Sequence, residues 1–397
     1  LTARNSGCYC RRSTPHGSGS YPACLTIIRP SREPPHMQPS RVLLHRILTP
    51  VAATLLATSA ISVGDVTAPT SLASIAKKDD ITLADKDSMV AFIDLHVSRL
   101  ESGDAAERPK ARQALLASVY GISSRRATPL FRELYAELLI PKLKTIMAES
   151  DTPQRIAAAQ IAGGLGTDSA VSLLMRHITP HEQPDDAVRV WTAASLRPLI
   201  VQINVTPSRL NRSIGTLGQA ALVEPDWPVL RQQLETLAAA TSNQRGEEGG
   251  QANLMTLARE QQTAVLTRLI ERLKDGELDM LLVIEPHMRR IQQQFLDQND
   301  VDTLRGQARE TVPAVSGLYE AILANWDAIQ EDQRRARIAG RAIQKAEVMI
   351  VLMDNYLTSQ SNSTTPKYED AVVSNNRAPI EAGKAKWATL GDGPAYR

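Results

Sequence analysis

Few residues of this chain have the type and spacing to do chemistry, and histidine and arginine supply most of them. His177 and His181 stand four apart, the spacing at which two imidazoles on one helix face can hold a divalent metal. Pro180 lies between them and breaks the helix that would have to present both rings together, so a loop or helix-end role is expected and no metal site. His96 and His287 are the other histidines after residue 60. Ser124 and Ser195 lack the Gly-x-Ser-x-Gly setting of a hydrolase nucleophile. Gly163-Gly164-Leu165-Gly166 follows a helical pattern and lacks the Gly-Lys-Ser/Thr ending of a phosphate loop. No catalytic residue and no cofactor is therefore expected. The arginines offer a different chemistry, the recognition of anions. The run from Glu331 to Arg341 holds Arg334, Arg335, Arg337 and Arg341, but pairs such as Glu331 with Arg335 give it the pattern of a solvated helix face.

The elements that must carry these residues repeat. Arg155-Ile156-Ala157-Ala158-Ala159-Gln160-Ile161-Ala162-Gly163-Gly164-Leu165-Gly166 is matched 34 residues later by Arg189-Val190-Trp191-Thr192-Ala193-Ala194-Ser195-Leu196-Arg197-Pro198-Leu199-Ile200. Arg155 aligns with Arg189, Ala159 with Ala193 and Leu165 with Leu199, while Ile156/Val190 and Ala162/Leu196 stay apolar. Alanines at helical spacing let two helices approach closely, so Ala159 and Ala193 are expected to be buried. The glycine run ends the first helix with residues that tolerate positive φ. Thr167 or Asp168 then caps a second helix, whose stripe of Ala170, Val171, Leu173, Leu174 and Ile178 lies against the first. A third copy threads upstream at an offset of 45, pairing Lys110 with Arg155, Ala114 with Ala159, Ala117 with Ala162 and Gly121 with Gly166. Its second helix, Pro129 to about Met147, is longer and contains Pro141.

Residues 155 to 178 resemble the HEAT repeat, in the short variety also found in phycobilisome lyases: Arg, an Ala-rich helix, Gly-x-Leu-Gly and a second amphipathic helix. The copy at 189 to 222 departs from the pattern, with Pro198 inside the helix and Ile200 where Gly166 stood. Stacked repeats of this kind need about three units for stability, which sets a HEAT-like domain at 88–240. The resemblance implies an all-α fold, a short α-solenoid followed by a helical hairpin or bundle with one long helix. It also implies a binding surface on the second helices, where regular stacking would bring Arg176 and His177 of one repeat near Arg209 and Arg212 of the next. Residues 125 to 212 hold 11 basic against 8 acidic residues, in keeping with a basic face. An enzyme of the lyase kind is the remote alternative, without a cysteine or acid cluster to support it.

Composition agrees with a helical chain: of 397 residues only 4% are aromatic, and no run alternates as a strand would. The 45 basic and 43 acidic residues are unevenly placed, because residues 1 to 60 hold seven arginines against one acid, Glu33, leaving 38 basic and 42 acidic beyond. Such a chain lacks the basic character of a nucleic-acid binder. Residues 1–36 carry all three cysteines (Cys8, Cys10, Cys24) without periodicity and read as a non-native upstream extension. Residues 37–60 read as a signal peptide: Arg41, His45 and Arg46, an apolar stretch from Ile47 to Ala57, and Thr58-Ser59-Ala60 at the cleavage site. Export to the periplasm or exterior is expected, with a mature start near Ile61, no lipid-bearing cysteine and no stable membrane insertion after cleavage. An uncleaved anchor is the alternative, since Ile47 to Val63 is barely long enough to span a bilayer.

Residues 61–87 and 241–252 read as linkers, the second polar and Gly-rich. Residues 253–297 form two helices turning near Gly276, with Pro286 bending or restarting the second. From 302 to 358 a sustained heptad of Ile322, Ile329, Ala336, Ile343, Ile350 and Leu357 predicts one long helix, packed inside the chain or, alternatively, joined to a second copy as a coiled coil. Residues 359–397 turn polar and read as a disordered tail. Trp191 is expected in the core, with projection toward a partner as the alternative, and Trp227, between Pro225 and Pro228, at the end of the repeat array. The functional expectation is a non-enzymatic exported scaffold that binds a protein or peptide through Arg176, His177, Arg209 and Arg212. The alternative is a structural protein that oligomerises through the heptad residues.

Overall fold

The computed structural model describes residues 69, 71–102, 104–120, 127–201, 205–241, 251–298, 300–359, 367–388 and 395. The upstream extension, the signal, the start of the first predicted linker and most of the second lie outside these residues. Among them no strand occurs, and the fold is all-α. Fifteen helices follow one another: α1 Leu83–Glu101, α2 Glu107–Tyr120, α3 Pro129–Glu149, α4 Thr152–Leu165, α5 Asp168–Met175, α6 Asp186–Ile200, α7 Pro207–Val223, α8 Trp227–Thr241, α9 Gln251–Lys274, α10 Leu281–Leu296, α11 Val301–Ala324, α12 Trp326–Gln330, α13 Gln333–Thr358, α14 Tyr368–Val373 and α15 Ala378–Trp387. None is long and apolar enough to cross a membrane.

The helices stack in two rows. In the first row α2, α4, α6, α8, α10 and α13 each pack on the next. In the second, α3, α5, α7, α9 and α11 do the same, and neighbours from the two rows pack across. The expected break between a repeat domain and a separate C-terminal bundle is not found, because α8 packs on both α9 and α10 and the rows run on.

Local sequence explains how each pair is cut. Asp151 and Gln154 form a capping box at the start of α4, and Gly166 ends it with φ 72°, a left-handed conformation that costs glycine no Cβ clash. Thr167 caps α5 by accepting from the Ala170 amide. Of the glycine run, Gly166 is the stop, whereas Gly163 and Gly164 remain helical. Gly163 serves a close approach: a Cβ there would lie 2.5 Å from the Ser195 carbonyl oxygen on α6. Ala159 and Ala193 are both fully buried.

Four expectations need correction. Residues 71–87 are no linker: Leu72, Ile75 and Ala76 are buried, and Thr82 with Asp85 forms a capping box that starts α1 early. The long helix of 302–358 is interrupted twice. Asn325 turns its amide to the Leu273 and Ala321 carbonyls, and Asp332 accepts from the Arg334 and Arg335 amides to begin α13 afresh. The heptad residues thus sit on three helices, with Ile322, Ile329, Ile343 and Ile350 fully buried inside the chain and Leu357 half-buried, so they offer no free seam to another copy. Pro286 does not restart its helix, since α10 runs through it to Leu296.

The fourth correction is the tail. Tyr368, Val372, Ile380 and Trp387 of α14 and α15 are buried. They close over Glu347 of α13, which is itself fully buried. Tyr319 Oη and Trp387 Nε1 donate to its carboxylate, the latter at 2.5 Å, and Lys386 Nζ lies 3.4 Å away. Gly383 permits this closure, because a Cβ there would sit 2.4 Å from the Tyr319 ring.

Candidate functional site

The first row is stitched by ions at successive steps. Arg112 of α2 donates to Gln160 of α4. Arg155 of α4 reaches Asp185, the N-cap of α6, at 3.1 Å. Its repeat partner Arg189, only 1% exposed, reaches Glu224 at 2.9 Å and Asp226 at 2.5 Å before α8. Burial works against the Arg189 charge, yet the two carboxylates outweigh it and hold its pKa above the ordinary value. Arg197 of α6 meets Glu235 of α8 at 2.6 Å, and Lys345 of α13 meets Glu285 of α10. The arginine shared by the two sequence repeats is therefore a strut between consecutive first-row helices, a role its recurrence alone did not disclose.

The second row is different where α5 meets α7. Thr206, just before α7, donates its amide and its hydroxyl to the Asp168 carboxylate at 2.9 and 2.8 Å, tying the start of α7 to the start of α5. That tie sets the register of two side-chain stripes, Ser172, Met175 and Arg176 on one side and Arg209, Arg212, Ser213 and Thr216 on the other. Together they line a groove of about 360 Å³. The hydroxyls of Ser172, Ser213 and Thr216 donate to carbonyls four residues back in their own helices, at Asp168, Arg209 and Arg212. The guanidinium groups are the groove's available donors.

Arg176 and Arg212 are exposed and Arg209 is half-buried. No carboxylate among the described residues pairs with any of the three. Arg176 caps the C-terminal end of α5, where the helix dipole favours a cation. Arg209 stands in the first turn of α7, where the dipole disfavours one, so an anion in the groove would relieve a repulsion built into the helix.

Of the four residues expected to share a surface, three do. His177 does not line the groove: it is half-buried, its Nδ1 has no hydrogen-bond partner among the described residues, and burial lowers its pKa. Since α5 ends at Met175, His177 and His181 do not share a helix face. Trp191, expected in the core, is 43% exposed. It stands on the outer side of α6 above a hollow of about 180 Å³ left by Gly163, Gly164 and Ala194. Trp227 is half-buried at the start of α8.

Two engineered proteins known from crystal structures bear a weak likeness to the chain. One is 14% identical with a TM-score of 0.32, covering 65% of this chain and 97% of its own. The other is 16% identical with a TM-score of 0.29, covering 80% and 88%. At such scores neither likeness bears on function. No protein-family model and no curated protein matches the chain.

Proposed function

We propose that this protein is a non-enzymatic, exported helical-repeat scaffold of HEAT-like type that binds an acidic segment of a protein or peptide in the α5–α7 groove. The observation that carries the reading is the convergence of Arg176, Arg209 and Arg212 on one concavity with no carboxylate partner among the described residues. Guanidinium groups hold carboxylates through paired, charge-assisted hydrogen bonds, and three of them without internal partners leave a binding surface. Export rests on the pattern of residues 37–60, and the repeat type on residues 155–178.

Fluorescence polarisation with a labelled oligoglutamate peptide tests the reading. Replacing all three arginines by Ala should abolish most of the binding while helicity is kept, and binding to the parent protein should fade as ionic strength rises past about 0.15 M, where the screening length is about 8 Å. Binding that ignores both the substitutions and salt moves the interface elsewhere. Lost helicity in the triple variant would assign these arginines to packing instead.

A further inference from the structure

A second basic concavity lies on the first row, where α8, α10 and α13 meet. Arg334, Arg337 and Arg341 follow one another at i, i+3 and i+7 along one face of α13, and Arg231 joins them from α8. The floor is apolar: Leu281, Leu282 and Pro286 of α10 with Ile338 of α13. The concavity measures about 450 Å³, within the range of small-ligand sites.

The charges in this lining do not cancel. Glu285 is the one acid that lines it, and it is already held by Lys345, with Arg341 Nε 3.7 Å away. Arg231 pairs with Glu235 at 3.3 Å. Arg334 and Arg337 are exposed and have no ion pair among the described residues. The anticipated Glu331–Arg335 pair does not form; Arg335 donates to the Ala328 carbonyl instead. Arg334, Arg335 and Arg337 also crowd the first turns of α13, the end at which a helix dipole repels cations. The Asp332 N-cap sets one carboxylate against three arginines at that end, so a further anion would still stabilise it.

We propose that this concavity binds a small soluble phosphomonoester, its phosphate between Arg334, Arg337 and Arg341 and its organic body on Leu282 and Ile338. Phosphate is favoured over a carboxylate segment for two reasons. Arg231 of α8 faces the α13 arginines across one hollow, so the donors surround a single site from two helices. A dianionic tetrahedral group also accepts from several forked donors at once. The site lies on helices separate from the α5–α7 groove and stands or falls without it.

Isothermal titration of the full chain with phenyl phosphate is the test. Saturable binding is expected, weakened about tenfold or more in Arg334→Ala/Arg337→Ala by loss of charge-assisted bonds and unchanged in Arg176→Ala/Arg209→Ala/Arg212→Ala. Benzyl alcohol, a similar body without the phosphate, should not bind. Circular dichroism of the double variant should match the parent, because both side chains are exposed. No saturable binding of phenyl phosphate, or binding indifferent to Arg334 and Arg337, overturns the proposal. It is equally overturned if oligoglutamate, and not phenyl phosphate, binds in an Arg334- and Arg337-dependent way, or if only vesicles containing phosphatidic acid are captured.

Discussion

Arg189 on α6 and Arg209 on α7 belong to neighbouring helices and live under opposite electrostatics. Arg189 is enclosed, with Glu224 and Asp226 on its guanidinium and the Gln183 and Pro184 carbonyls accepting from its Nη1. Arg209 faces a groove with two more arginines and no acid. The same side chain is a strut in the first row and an open donor in the second. The difference teaches where to look for function: which row a side chain faces decides structure, and the absence of a partner decides availability. Substitutions should separate the two classes sharply.

The largest effect is expected from Arg189→Ala, which strands the fully buried Glu224 carboxylate and should cost about 3–5 kcal/mol by chemical denaturation. Replacing both partners, Arg189→Met with Glu224→Leu, should recover much of that loss, since a well-packed apolar pair can stand in for a buried ion pair. If the single and the double variant are equally unstable, the strut is a packing element and the contrast with Arg209 weakens.

Next comes Gly163→Val, which forces α4 and α6 apart at the Ser195 carbonyl and should cost about 1–3 kcal/mol through overpacking. An unchanged melting temperature would show that the first row is looser than its close approach suggests.

His287 sharpens the comparison by pH. It lies on α10 near Arg231, Glu235 and Arg290, its Nε2 without a partner, and burial followed by the Arg290 charge pushes its pKa down to about 3. The folded protein keeps this ring neutral, while the unfolded chain protonates it near pH 6.5. Its contribution is therefore constant above pH 6.5 and is lost as pH falls toward 3, with a slope of at most about 1.4 kcal/mol per pH unit. His287→Leu should flatten that part of the stability profile. An identical slope in the variant would place the acid sensitivity on the carboxylates of the first row.

The smallest effect on stability is expected from Arg176→Ala/Arg209→Ala/Arg212→Ala, within about 0.5 kcal/mol, as two of these side chains are exposed and none has an ion-pair partner among the described residues. A loss comparable to that of Arg189→Ala would erase the distinction between the two rows.

The convergence of Arg176, Arg209 and Arg212 was legible in the sequence because a repeat register transfers positions from one helix pair to the next. His177 failed in that transfer, since α5 ends two residues before it and the half-buried ring does not line the groove. Trp191 failed because size argued for burial, while the small residues of α4 beside it left a hollow rather than a slot. The heptad of 322 to 357 kept its apolar period across two helix breaks, and periodicity does not reveal where Asn325 and Asp332 divert the backbone. The polar composition of the last segment hid four buried anchors, Tyr368, Val372, Ile380 and Trp387, which fall at helical spacing but only two to each short helix, too few to read as a stripe.

Those anchors change what the far end of the array presents to other molecules. A stack of helix pairs that simply stopped at α13 would offer its last apolar face to the first face of another copy, the geometry from which open filaments grow. Here α14 and α15 cover that face and hold a buried carboxylate against it, so any newcomer would have to displace Trp387 and leave Glu347 without its indole and phenol donors. The face of α11 and α13 beneath them is guarded by an electrostatic penalty as well as by shape.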